Sequence, residues 1–71
     1  MDFQTRQRLY QHEYRLASIA YKRATIRHAK EQERGKYFLG VRQTRRMYLA
    51  AECLRSTAGR YARAQRDLYG R

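Results

Sequence analysis

Residues 44–69 read TRRMYLAAECLRSTAGRYARAQRDLY and contain no proline. Read as one α-helix, this stretch carries an apolar residue at every seventh position: Met47, Leu54, Tyr61 and Leu68. A seven-residue apolar repeat is typical of a helix that packs lengthwise against another helix. The opposite side of the same helix holds four arginines: Arg45, Arg60, Arg63 and Arg66. The stretch therefore predicts a helix with one face for packing and a second, cationic face for a charged partner.

The N-terminal half of the chain supplies the helix against which this stretch packs. Asp2 is an expected N-cap, so a first helix is predicted over residues 3–34, with Gly35 as the residue that terminates it. Residues 35–40 form a connection of the length found between antiparallel helices. The second helix is predicted over residues 41–69.

These elements predict an all-α fold: an antiparallel helical hairpin of two long helices, forming a single small helical domain over residues 1–71. Gly59 is the weak point of the second helix, because glycine costs about 1 kcal/mol relative to alanine inside a helix. Two explanations of this glycine are open. The second helix is kinked or split near Gly59, or the two helices approach closely at Ala58 and Gly59.

The first helix carries two apolar stripes, which predict two neighbours. The aliphatic stripe consists of Leu9, His12, Leu16, Ile19 and Ile26. The tyrosine stripe consists of Tyr10, Tyr14, Ala17, Tyr21 and Ala24. We expect the aliphatic stripe to form the core with the second helix, so the predicted core is Leu9, Leu16, Ile19, Ile26, Met47, Leu54, Tyr61 and Leu68.

Aromatic residues outside this core predict a contact surface for a protein partner, formed by Tyr10, Tyr14, Tyr21, Tyr37 and Phe38. The connection is unusually apolar for a loop. Phe38 and Leu39 either cover the end of the hairpin core or form an exposed aromatic knob for a partner.

Charge is the strongest compositional signal. The chain contains seventeen basic and six acidic residues, which gives a net charge of +11. This balance favours a polyanionic partner: nucleic acid, an acidic protein surface or an anionic membrane. The apolar faces are rich in alanine and tyrosine, poor in bulky aliphatics and free of tryptophan, which weighs against the membrane.

Arginine alternates with tyrosine at both ends of the second helix. Arginine binds phosphate with planar, bidentate geometry, and tyrosine stacks on unpaired bases. Rows of like charge are unfavourable alone but fit a phosphate backbone. The predicted nucleic-acid-binding residues are Arg42, Arg45, Arg46, Tyr48, Arg60, Arg63 and Arg66.

No enzyme motif is present. The chain lacks a glycine-rich phosphate loop, a G-x-S-x-G sequence and an H-E-x-x-H sequence. His12 and His28 fall on different faces of the first helix, and Cys53 is the only cysteine. We therefore expect no catalytic site, no metal site and no cofactor. A single cysteine and the absence of a long apolar run favour a reducing compartment: the cytoplasm, or a virion or host cytoplasm if the protein is viral.

Two functions remain open at this level. The first is a small basic non-enzymatic protein that binds nucleic acid, RNA or DNA, or a nucleoprotein assembly through its arginine and tyrosine side chains. The alternative is a small regulator or inhibitor that docks on a larger protein machine. Two helices bury little surface, so we also expect self-association or docking on a larger protein.

Overall fold

The computed structural model describes residues 2–70, which form two helices. Helix α1 spans Phe3–Gly35 and helix α2 spans Val41–Tyr69. Tyr14 contacts Tyr61 near the open end of the pair, and Glu31 contacts Gln43 near the connection, so the helices run antiparallel. The molecule is elongated, with extents of 53 × 17 × 14 Å. The predicted all-α hairpin is confirmed.

The start of α1 is capped as the sequence predicts. The backbone N–H of Thr5 donates a hydrogen bond of 2.8 Å to Oδ1 of Asp2. This bond satisfies one of the N–H groups that a helix leaves without a partner in its first turn. Hydrogen bonds from the Thr5 side chain and backbone hold the pKa of Asp2 below its ordinary value.

The end of α1 differs from the prediction by one residue. Gly35 is the last residue of the helix, and no described glycine has a positive φ. Gly35 is needed because a larger side chain would collide with α2. A Cβ on Gly35 would lie 2.7 Å from Sδ of Met47, so the missing side chain makes room for this residue of α2.

Helix α2 runs without a break through Gly59, so the predicted split is wrong. Close approach of the helices does not explain this glycine either. A Cβ on Gly59 would have no neighbouring atom within 4 Å. Gly59 is an exposed, helical glycine that lowers the stability of α2 without a packing role.

The interface between the helices is lined by small side chains. Its most buried residues are four alanines with at most 4% of their surface exposed: Ala17, Ala24, Ala50 and Ala64. The half-buried residues of α2 include the predicted Met47, Leu54, Tyr61 and Leu68. The packing face of α2 is therefore confirmed.

The packing face of α1 is the tyrosine stripe, and the prediction of the aliphatic stripe is wrong. Leu9, Leu16, Ile19 and Ile26 remain 41–51% exposed. Tyr14 and Tyr21 instead pack on Tyr61, with ring centroids 5.5 and 5.3 Å away. A tyrosine ring buries more surface than a leucine side chain and adds a hydroxyl that can be paired. Alanine between the rings lets the helix backbones approach.

Candidate functional site

A buried polar contact holds the closed end of the hairpin. Gln43 and Glu31 are each only 9% exposed. Nε2 of Gln43 donates to the backbone carbonyl oxygen of Glu31 at 3.1 Å and to Oε2 of its side chain at 3.2 Å. Arg34 lies 3.6 Å from the other carboxylate oxygen. A paired buried amide and carboxylate fix the register of two helices more strictly than alanine contacts do.

A cluster of four tyrosines holds the open end. The hydroxyls of Tyr14 and Tyr61 are 3.1 Å apart and share a hydrogen bond. Tyr69 packs edge-on against Tyr14, with ring centroids 5.7 Å apart, and Tyr21 packs on Tyr61. The hydrogen bond with Tyr61 is the main cause that raises the pKa of Tyr14 above its ordinary value; burial and the neighbouring phenols add to it. Tyr14 and Tyr21 therefore contact other residues of this chain through their rings.

Beside the Gln43 anchor, the closed end of the hairpin forms a cationic cleft of about 530 Å³. We call it the arginine cleft; its lining residues are Arg34, Phe38, Leu39, Gly40, Arg42, Gln43 and Arg46. The short connection brings Arg34, at the end of α1, beside the first two turns of α2. Phe38 is 64% exposed and Leu39 is 93% exposed, so neither covers the core. The first alternative for the connection, a cover for the end of the core, is therefore wrong, and the partner of an exposed aromatic knob stays a prediction.

The remaining predicted arginines lie along the exposed surface of α2. Arg45 and Tyr48 are exposed in the first two turns of α2, and Arg63 and Arg66 are exposed near the open end. Arg60 is engaged within the fold, because its Nε lies 2.8 Å from Oε1 of Glu13 on α1. Arg45 and Arg66 are about 32 Å apart along the helix axis, at 1.5 Å per residue.

Most of the positive charge has no counter-charge within the fold. Sixteen of the seventeen basic residues lie between positions 2 and 70. Four of the sixteen form ion pairs with a carboxylate: Arg34, Lys36, Arg55 and Arg60. The other twelve have no carboxylate within 4.0 Å among the described residues. The fold therefore presents these twelve cations to the solvent without a carboxylate partner of its own.

Sequence reasoning missed Arg34 and Leu39 as members of the site. Arg34 follows Glu31 by three residues, the spacing of an ordinary ion pair on one helix, so nothing in the local sequence marks it as a site residue. The position of Arg34 just before the glycine that ends α1 is the signal that could have found it, since residues flanking a short connection lie together in a hairpin. Glu31 pairs with Gln43 and Arg34.

The residues predicted to contact a protein partner fall into an exposed group at the connection and a half-buried group on α1. Tyr37 is 74% exposed at the connection beside Phe38. Tyr10, Tyr14 and Tyr21 are half-buried on the packing side of α1. A partner that used these aromatic residues would meet Tyr37 and Phe38 directly.

Within residues 2–70, no three histidine, cysteine, aspartate or glutamate side chains lie close enough together to hold a metal ion. Neither described helix contains a stretch that is long and apolar enough to cross a lipid bilayer. Comparison of the chain with protein-family models, curated proteins and solved structures finds no match.

Proposed function

We propose that this chain is a small, non-enzymatic protein that binds nucleic acid, alone or within a nucleoprotein assembly, through the arginine cleft and the exposed arginines of α2. The observation that carries this proposal is the convergence of Arg34, Arg42 and Arg46 on one cleft beside the exposed ring of Phe38. Three guanidinium groups around an open cleft can each donate bidentate hydrogen bonds to phosphate and complement the charge of a nucleic-acid backbone.

The aromatic residues of the closed end add a second kind of contact. Phe38, Tyr37 and Tyr48 are 64–74% exposed, and Phe38 lines the cleft with its arginines. Exposed rings beside guanidinium groups stack on unpaired bases, as proteins that bind single strands do. The proposed ligand is therefore a single-stranded or looped segment, with its phosphates on the arginines.

The proposed binding is independent of base sequence. The exposed arginines are spread along the length of α2. The hairpin of two long helices does not resemble a helix-turn-helix motif, in which a second helix enters the major groove and reads base edges. The affinity would come from counterion release and stacking. Because the exposed thiol of Cys53 persists in a reducing compartment, we propose the cytoplasm as the place of action.

The alternative function, a regulator that docks on a larger protein, is supported by a different surface. The aliphatic stripe of α1 is exposed on the side that does not face α2. The two surfaces meet at Arg34, which lines both the arginine cleft and the groove around Ile26. Leu16 and Ile19 do not line the cleft, so substitutions there and at Arg42 and Arg46 test the two surfaces individually.

The test is fluorescence anisotropy with labelled single-stranded RNA, single-stranded DNA and duplex DNA of equal length, with a reducing agent present. One variant carries Arg42→Gln, Arg45→Gln and Arg46→Gln. The matched control carries Arg8→Gln, Arg15→Gln and Lys22→Gln on α1, which removes the same three charges. We expect the first variant to bind at least about tenfold more weakly and the control to stay within about threefold of the unaltered protein.

Salt dependence separates phosphate contacts from other contacts. Each lost phosphate contact reduces the slope of log K against log salt by about 0.7–0.9, so the three substitutions in α2 should lower it by about 2. Equal weakening of both variants would mean that only net charge matters, and no binding by the unaltered protein would refute the proposed function.

A further inference from the structure

The side of α1 that faces away from α2 carries a second seven-residue repeat. Leu9, Leu16, Ile19 and Ile26 lie on it and are 41–51% exposed. The same face includes the residues that complete an alternating three- and four-residue spacing, His12, Arg23 and Lys30, and all three are exposed. We call the whole set the outer seam: Leu9, His12, Leu16, Ile19, Arg23, Ile26 and Lys30. Alternating three- and four-residue spacing is the pattern of a helix that packs on a further helix.

The outer seam is narrow, because charged residues flank it on both sides. Arg8, Arg15 and Lys22 follow one edge, and Arg27 and Arg34 follow the other. A helix that lies in a membrane surface needs a broad apolar face, whereas a seam one side chain wide is typical of a coiled-coil contact. The shape of the seam therefore favours a partner helix.

The flanks of the seam are cationic and almost free of carboxylates. Glu13 lies at one edge, but its Oε1 is bonded to Arg60 at 2.8 Å. Around Ile26 the surface forms a groove of about 270 Å³, lined by Arg23, Ile26, Arg27, Lys30, Glu31 and Arg34. The Glu31 carboxylate in this groove already accepts a hydrogen bond from Gln43. An incoming helix thus meets an aliphatic line between two rows of cations, of which only Arg34 has a carboxylate partner, Glu31, among the described residues.

A second copy of the chain does not fit this surface. In an antiparallel pair, the row Arg8, Arg15 and Lys22 would face the same row of the other copy. In a parallel pair, Arg23 and Lys30 would each face themselves within the seam. Like charges opposite one another in a helical contact are destabilising, and they are one means by which coiled coils exclude wrong partners.

We propose that the outer seam of α1 docks an acidic amphipathic α-helix of another protein. The docked helix carries aliphatic residues opposite Leu9, Leu16, Ile19 and Ile26. It carries glutamate or aspartate opposite the flanking cations and opposite Arg23 and Lys30. The seam is about 32 Å long from Leu9 to Lys30, at 1.5 Å per residue, so the partner helix has about 20 residues in contact.

The test uses synthetic helical peptides of about 25 residues with the intact chain, measured by isothermal titration calorimetry. The acidic peptide has leucine and isoleucine in a heptad repeat flanked by glutamate. One control peptide has lysine in place of each glutamate, and a second keeps glutamate but has glutamine in place of the aliphatic residues. We expect the acidic peptide to bind at least about tenfold more tightly than either control.

Two variants of the chain locate the binding. Leu16→Ala with Ile19→Ala should weaken binding of the acidic peptide at least about tenfold, because both side chains lie in the centre of the seam. The same variant should leave far-UV circular dichroism and nucleic-acid affinity unchanged. The variant Arg42→Gln, Arg45→Gln, Arg46→Gln should bind the peptide within about threefold of the unaltered chain.

Four outcomes would overturn the proposal. Equal binding of the acidic and glutamine-substituted peptides would show non-specific attraction of charge. Absence of binding would show that the seam does not recognise an acidic helix. A dimer that dissociates in the Leu16→Ala, Ile19→Ala variant, seen by analytical ultracentrifugation, would make a second copy the occupant. Binding to phosphatidylserine vesicles that requires Leu16 and Ile19 would make a membrane surface the occupant.

Discussion

Two neighbouring residues of α1, Leu16 and Ala17, test which side of this helix packs on α2. Leu16 belongs to the aliphatic stripe and is 41% exposed, whereas Ala17 lies in the interface and is 0% exposed. Leu16→Ala removes a side chain that is only about three-fifths shielded, and full burial of a leucine is worth about 1.5–3 kcal/mol. Since α1 itself provides part of that shielding, we expect a loss of about 1 kcal/mol.

The opposite exchange, Ala17→Leu, places additional carbon atoms at a position without free space. Overpacking of this kind costs about 1–3 kcal/mol, and more where the backbone cannot shift. A matched control is Ala29→Leu, the same change at an exposed alanine of α1. We expect the control to alter stability by less than about 0.5 kcal/mol.

Urea and thermal unfolding followed by far-UV circular dichroism measure these differences. For a chain of this size, 1 kcal/mol corresponds to about 4–8 °C in Tm. Ala17→Leu should therefore lower Tm more than Leu16→Ala does, although it adds apolar volume. If Leu16→Ala cost about 2–5 kcal/mol, the range for a fully buried leucine, and Ala17→Leu cost nothing, the aliphatic stripe would be the true core.

Three further expectations follow from single contacts. Gly59→Ala should stabilise the hairpin by about 0.5–1 kcal/mol in urea unfolding, because the new methyl group enters open space in a helix; a loss of stability would mean that α2 is not helical there. Gln43→Ala should lower the free energy of unfolding by about 1–3 kcal/mol, since it leaves the buried Glu31 carboxylate without the amide that donates to it. An unchanged midpoint in urea would mean that this contact does not stabilise the fold. Alkaline pH should destabilise the hairpin, because the folded state raises the pKa of Tyr14. The contribution of Tyr14 to stability is fully present below the pKa of a free tyrosine, about 10, and is lost as the pH rises through the higher folded value; Tyr14→Phe should weaken this pH dependence of the urea midpoint, and an unchanged dependence would mean that Tyr14 is not its cause.

The elements of this fold follow from local sequence patterns, and their pairing does not. Asp2 marks the start of α1, and the heptad of Met47, Leu54, Tyr61 and Leu68 identifies the packing face of α2. The sequence failed at the choice between two stripes on α1. A helical wheel shows which residues share a face, but it contains nothing about the neighbour that covers the face.

The error over α1 has a definite physical origin. A count of aliphatic carbon atoms favours Leu16 and Ile19 as the packing residues of α1. The observed contact is instead stabilised by tyrosine rings that pack against one another and by two hydroxyl groups that share a hydrogen bond. The hydrogen bond between Tyr14 and Tyr61 joins residues that are 47 positions apart, so no local pattern contains it. The same holds for Gln43 and Glu31, two polar residues whose burial depends on each other.

The candidate site was predicted in part. The sequence identified Arg42 and Arg46 from their density at the start of α2. It did not identify Arg34, because this residue joins them only when the connection folds back. Arg60 was predicted to bind nucleic acid, and the structure pairs it with Glu13 of α1. This pair depends on the register of the two helices, which no local pattern contains.

The most direct test of the central claim is a nuclear magnetic resonance titration of the ¹⁵N-labelled chain with single-stranded RNA of about 12 nucleotides, within the site size of single-strand binders. At 8.6 kDa the chain gives resolved signals for the backbone and for the arginine Nε–H groups. We expect the largest shifts at Arg34, Arg42 and Arg46 and at the backbone amides of residues 37–46. Shifts confined to α1, or small shifts spread evenly over all arginines, would contradict the arginine cleft as the site of nucleic-acid binding.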